Sequence, residues 1–141
     1  MKKTISLLSL IFITGIMALL AGCSNESIVG QWQLEKYCYG TDCTALANYG
    51  IVQIWEFTDE EYLADEDGKV SGNYFKGRHY QDSILNENIV WSLNGDKDSL
   101  LVRSLASGNQ SLFYVSRFDG DTLELTSMIN NILVRQLFKR L

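Results

Sequence analysis

The sequence predicts an all-β protein, an up-and-down antiparallel β-barrel of eight or so strands, carried behind a cleavable export segment. Three observations make the prediction. Turn-forming residues cluster at short intervals, at Asp67-Gly68, Asn94-Gly95-Asp96, Ser107-Gly108-Asn109, Asp119-Gly120-Asp121 and Asn130-Asn131. The runs between them are rich in β-branched and aromatic residues. Within those runs apolar residues alternate with polar ones at period two. Such runs, punctuated by such turns, indicate hairpin-connected strands in a sandwich or barrel. Eight is the strand number at which an up-and-down barrel closes and leaves no edge.

The first 22 residues stand apart. Met1-Lys2-Lys3 is a short positive start, and Ile5 to Ala21 carries no charge. This is the layout of an export signal rather than of folded structure. The apolar run is barely long enough to span a bilayer, which needs roughly 20 residues. Leu20-Ala21-Gly22-Cys23 closes it, and Ser24-Asn25-Glu26-Ser27 follows as a short polar tether.

The strands can be read in order. Gly30, Trp32 and Leu34 share one face, with Gln31, Gln33 and Glu35 on the other. Trp55 and Phe57 oppose Glu56; Ile89, Trp91 and Leu93 alternate with Ser92 and Asn94; Leu123 and Leu125 alternate with Thr122, Glu124 and Thr126. One dry face and one wet face suit an antiparallel sheet wrapped round a core. A slip of one residue would turn the aromatics outward, so register is firmly specified. Residues 91–102 and 115–125 echo each other as strand, Asn/Asp-Gly-Asp turn, strand, and read as two similar hairpins. Met128–Leu141 fits an amphipathic helix or a strand. The Ile132-Leu133-Val134 start and the preceding Asn130-Asn131 turn favour a last strand.

Charge excludes some partners. Loss of residues 1–22 removes Lys2 and Lys3, leaving 10 of 12 basic residues against 17 acidic ones, a charge of about −7. Nucleic acid needs clustered Lys and Arg, so it is not an expected partner. Electrostatic binding to anionic lipid is disfavoured for the same reason. Cys38 and Cys43 remain near the domain's start. In an oxidising compartment a disulfide is the first reading, closing a small loop worth about 2 kcal/mol. Reduced thiols come next. A metal site is remote, because only His79 and no further cysteine could complete it.

Catalytic constellations are not evident, and no catalytic residue, metal or cofactor is expected. His79 is the only histidine, and no serine sits in a Gly-x-Ser-x-Gly elbow. His79 reads as a satisfied or exposed strand residue. The run from Asp59 to Asp67 holds six acidic residues in nine. It reads as a solvated hairpin that discourages edge aggregation rather than as a calcium or carboxylate site.

Two resemblances add to this. Leu20-Ala21-Gly22-Cys23 resembles a bacterial lipobox. That implies cleavage after Gly22, diacylglyceryl attachment at Cys23, and usually acylation of the new amine. The domain plan would then be signal 1–22, lipidated cysteine and tether 23–27, and barrel 28–141. Acyl chains contribute about 0.8 kcal/mol per buried methylene, and two or more hold stably. Ser24 favours the outer membrane, facing either the periplasm or the cell surface. The order of lipobox, tether and Ile28-Val29-Gly30-Gln31-Trp32, with the hairpin at Trp91 to Leu100 and Leu101, resembles the lipocalin-like lipoproteins of Bacteroidetes-type bacteria. That resemblance implies an eight-stranded barrel with one closed and one open end. Gly30 and Trp32 would mark the closed end, with Arg135 or Arg140 stacked over Trp32, a cation–π contact of roughly 0.5–2 kcal/mol. The chain is shorter than the secreted lipocalins and shows no clear helix before its final strand.

The aromatics are the functional lead. Trp55, Phe57, Tyr74, Trp91 and Tyr114 are candidates to line a site for a small hydrophobic ligand; packing of the core is the competing role. The reading is a lipid-anchored envelope protein whose barrel binds or carries such a ligand. The alternative is a packed barrel acting as an interaction or inhibitor module on a protein partner.

Overall fold

A computed structural model describes residues 27–63 and 73–141. The export segment and the lipidation expected at Cys23 lie outside the described residues, as do Asp65, Glu66 and Asp67 of the acidic run.

The alternating runs form nine strands: β1 (Gly30–Tyr39), β2 (Asp42–Ala45), β3 (Gln53–Tyr62), β4 (Tyr74–Gln81), β5 (Ile84–Leu93), β6 (Ser99–Ser104), β7 (Gln110–Phe118), β8 (Thr122–Ile129) and β9 (Ile132–Arg140). β1 and β3 to β9 pair antiparallel in chain order, and β9 returns to β1. These eight strands make a closed up-and-down barrel. β2 is the extra strand. β3 pairs with the first part of β1, from Gly30 to Gln33, and β2 pairs with the last part, from Lys36 to Tyr39. A 3-10 turn, Leu46–Tyr49, carries the chain onward to β3.

The C-terminal segment is strand, not helix. Asn130 and Asn131 both take positive φ, 51° and 63°, between the paired Ile129 and Ile132. Two successive left-handed residues give the tight turn whose twist matches flanking strands, and asparagine tolerates that conformation. Asp82 and Ser83 make a second such turn, at φ 51° and 67°, between β4 and β5.

The barrel interior is built from the dry face of each strand. Trp32, Leu34, Phe57, Ile89, Trp91, Leu100, Val102, Phe113, Leu123, Leu125 and Phe138 are buried in one cluster. A bulge in β1 between Leu34 and Lys36 shifts the alternation by one, so that Tyr37 also packs inward. Gly77 is buried where β4 crosses the core; a Cβ there would sit 2.7 Å from the Glu56 carbonyl oxygen and 3.0 Å from Ile89. Cys38 and Cys43 are directly paired residues of β1 and β2, and they form a disulfide.

Candidate functional site

One end of the barrel is plugged. Trp32 is fully buried, and its indole N–H donates to the Ile28 carbonyl at 2.7 Å. Arg140, its register partner on β9, places its guanidinium carbon 4.4 Å from the indole centroid. The same guanidinium donates to three carbonyls: Gly120 at 2.5 Å, Val29 at 3.0 Å and Ser27 at 2.6 Å. Phe118 meets Trp32 edge-on at 6.0 Å. Gly30 has φ +141°, and a Cβ there would come within 2.8 Å of the Arg140 guanidinium. Glycine is therefore demanded twice, by backbone conformation and by space. Arg135, the other arginine considered, lies elsewhere. It pairs with Cys38, and its guanidinium approaches Cys43 Sγ at 3.9 Å. It lies five positions before Arg140, an odd offset, so the two side chains leave opposite faces of β9.

The other end is hollow. A cavity of about 240 Å³ opens between β3, β4, β5, β6 and β7. Its floor is Trp55, Ile89, Val102 and Phe113; its rim is His79, Glu87, Ser104, Ser107, Asn109 and Ser111. The rim has a simple origin in the strands. Each inward stripe turns from apolar to polar as it reaches this end: Phe75 to His79 on β4, Trp91 to Glu87 on β5, Leu100 to Ser104 on β6, and Phe113 to Ser111 on β7. Antiparallel register sets these residues at one height, because His79 pairs with Glu87, Ile89 with Ser104, and Val102 with Ser111. Among the described residues, no group of three or more His, Cys, Asp or Glu is placed to hold a metal.

His79 is not the exposed or satisfied residue that its sequence context suggests. Its side chain is 15% exposed, its ring lies 5.9 Å from that of Trp55, and its covered Nε2 has no hydrogen-bond partner. Asn86 Nδ2 lies 3.2 Å from Nδ1, and Glu87 Oε1 lies 3.7 Å from it. With the Asn86 amide donating, Nδ1 accepts and Nε2 holds the proton. Burial pushes the imidazole pKa below its ordinary 6.5, and the nearby Glu87 carboxylate only partly offsets this. The ring is therefore neutral at pH 7. Glu87 accepts a hydrogen bond from the Ser104 hydroxyl.

The five aromatic candidates separate. Trp55 forms the cavity floor and touches Phe57, Phe113 and Phe138 at centroid distances of 6.1, 5.8 and 5.5 Å. Phe57 and Trp91 lie deeper, packed on each other at 5.3 Å, and belong to the core rather than to the cavity wall. The Trp91 indole donates to the Lys76 carbonyl at 3.0 Å. Tyr114 is a correction: it is 54% exposed on the outer face, and its neighbour Phe113 points inward. Tyr74 is a second correction. Phe75 packs into the core against Trp91, so Tyr74, one residue before it, leaves the opposite face. Sequence reasoning missed Glu87, Ser104 and Ser111. The signal was present: counting back by twos from Trp91 reaches Glu87, and counting on from Leu100 reaches Ser104.

The fold and this end together define a small up-and-down barrel, plugged below and hollow above, of the ligand-binding kind. The family model described as lipocalin-like domain matches residues 28–125, well over half of the chain, and the chain belongs to that family. The match ends within β8, so Arg140 reaches the plug from beyond the matched stretch. No curated protein and no solved structure matches the chain.

Proposed function

We propose that this barrel binds and carries a small molecule with an apolar body at the bacterial cell envelope, held to the membrane by acyl chains on Cys23. One observation carries the binding reading: an apolar floor of Trp55, Ile89, Val102 and Phe113 under a polar rim, open at one end. An apolar pocket with a few convergent polar groups is the usual form of a small-molecule site. At about 240 Å³ it falls below the roughly 300–1,000 Å³ of drug-sized pockets. That size suits a compact ligand rather than a long acyl chain. No catalytic step is part of the proposal; the barrel shelters its ligand from water. The envelope and the anchor rest on the lipobox-like Leu20-Ala21-Gly22-Cys23.

The test is native mass spectrometry of the lipidated protein, extracted from its own envelope in mild detergent. A discrete added mass, lost in Trp55→Ala, is the expected result. A bare mass, together with no uptake from a panel of small amphiphiles, would reject the carrier role. A second reading draws on the outer face of β7 to β9. There Leu112, Tyr114, Met128 and Leu133 are 45–58% exposed, and Met128 pairs with Leu133. An apolar face of this kind suits a protein partner, and crosslinking in intact cells would find one.

A further inference from the structure

We propose that the open-end cavity selects a small organic monocation, an amine on a short apolar or aromatic body, through the Glu87 carboxylate. The inference rests on the carrier reading and narrows it to a ligand class. The charge of the lining points one way. Among the described residues, Glu87 is the only acidic one lining the cavity, and neither Lys nor Arg lines it. His79, the other titratable group there, pairs with Glu87 across β4 and β5. An anionic ligand would meet the Glu87 carboxylate, and none of the described lining residues is a cation that could compensate it.

The carboxylate is also held in place. The Ser104 hydroxyl donates to Oε2, and Oε1 lies 3.7 Å from His79 Nδ1, beyond hydrogen-bond reach. Asn86 already supplies Nδ1 with a donor, so Oε1 stays open to an ammonium N–H. Hydrogen bonds to charged groups are among the stronger ones. Neutral hydroxyls of Ser107 and Ser111 stand around the same rim as further acceptors. Below them Trp55 and Phe113 line the floor and meet edge-on at 5.8 Å and 73°. Aromatic faces attract cations and accept apolar bodies alike. The acidic charge of the whole chain, −5, favours approach of cations.

The test uses probes that share a phenyl body and differ in head-group charge. Phenethylamine, phenethyl alcohol and hydrocinnamate are titrated against the full chain in mild detergent, with intrinsic tryptophan fluorescence as readout and dodecanoate as the long-chain comparison. Phenethylamine is expected to bind about tenfold more tightly than phenethyl alcohol, with hydrocinnamate weakest. Added salt should shrink that preference. In Glu87→Gln, which keeps the size and an acceptor for Ser104, the preference of amine over alcohol should fall to about one. Equal binding of amine and alcohol, or a ratio untouched by Glu87→Gln, overturns the Glu87 assignment and leaves the carrier role standing. Tighter binding of dodecanoate than of the three phenyl probes overturns the size argument and the proposal with it. If none of the four binds, the carrier reading falls as well.

Discussion

Arg140 lies over the face of Trp32, guanidinium carbon 4.4 Å from the indole centroid, although 107 positions lie between them in the chain. The contact joins the first and last strands of the barrel at the point where it closes. It also satisfies three carbonyls that the N-terminal segment and the β7–β8 turn present at that end.

Arg140→Ala should therefore cost stability, by roughly 2–4 kcal/mol, from lost charged hydrogen bonds and the cation–π contact. Arg135→Ala, on the outer face near the disulfide, should stay within about 0.5 kcal/mol. Urea midpoints followed by tryptophan fluorescence compare the two. Equal effects would mean that the plug contributes nothing beyond a surface arginine.

A glycine pair tests the same end. Gly30→Ala forces a side chain into φ +141° and against the Arg140 guanidinium. A loss of about 2 kcal/mol is expected. Gly95 has no heavy atom within 4 Å of a built Cβ and no positive φ. Gly95→Ala should be neutral or should stabilise by up to about 1 kcal/mol. Thermal melts of the two variants give the contrast directly.

Acid should destabilise the barrel in two stages. Burial holds the His79 pKa below 6.5, against the smaller opposing pull of Glu87. The unfolded chain takes up that proton first, so the contribution is whole above about pH 6.5 and is lost as pH falls through the lowered folded value. Three carboxylates shift the same way at lower pH. Burial raises the Glu56 pKa, but hydrogen bonds from Arg78, Gln31 and Tyr80 outweigh it and the net shift is downward. Hydrogen bonds from Ser99 and Asn94 lower Asp98, and those from Arg117 lower Asp119. Their contributions are present above about pH 4 and are lost as pH falls through their lowered values. Melting temperature against pH should show both stages, and His79→Gln should erase the first while sparing the second.

Cys23→Ser tests the anchor independently of the barrel. The unlipidated variant should leave the detergent-soluble envelope fraction or remain uncleaved with a larger mass, while its barrel melts as before. A variant that stays membrane-bound at the mature mass would rule out lipid attachment at Cys23.

Much of the barrel is legible in the chain because alternation is local. Trp32, Trp55, Trp91 and Leu123 announce their inward faces through their immediate neighbours, and Asn130-Asn131 announces a two-residue turn. The errors are errors of parity. By residue type Tyr114 and Tyr74 are candidate wall residues, yet Phe113 and Phe75 hold the inward positions beside them. The rim was harder to see. Glu87, Ser104 and Ser111 are polar residues continuing apolar stripes, and each by itself looks like a strand end reaching water.

The class of fold, the strands and turns, the glycine and tryptophan of the first strand, and the pair of cysteines near it can all be read along the chain. Those are consequences of steric preference and period-two burial, which act over a few neighbouring residues. Tertiary structure alone decided which arginine caps Trp32, which aromatic floors the cavity, and that one histidine, one glutamate and several serines share a rim. Closure is the reason. Joining β9 to β1 sets the register of every strand round the ring, and only that register gathers residues from five separate strands and loops at one end.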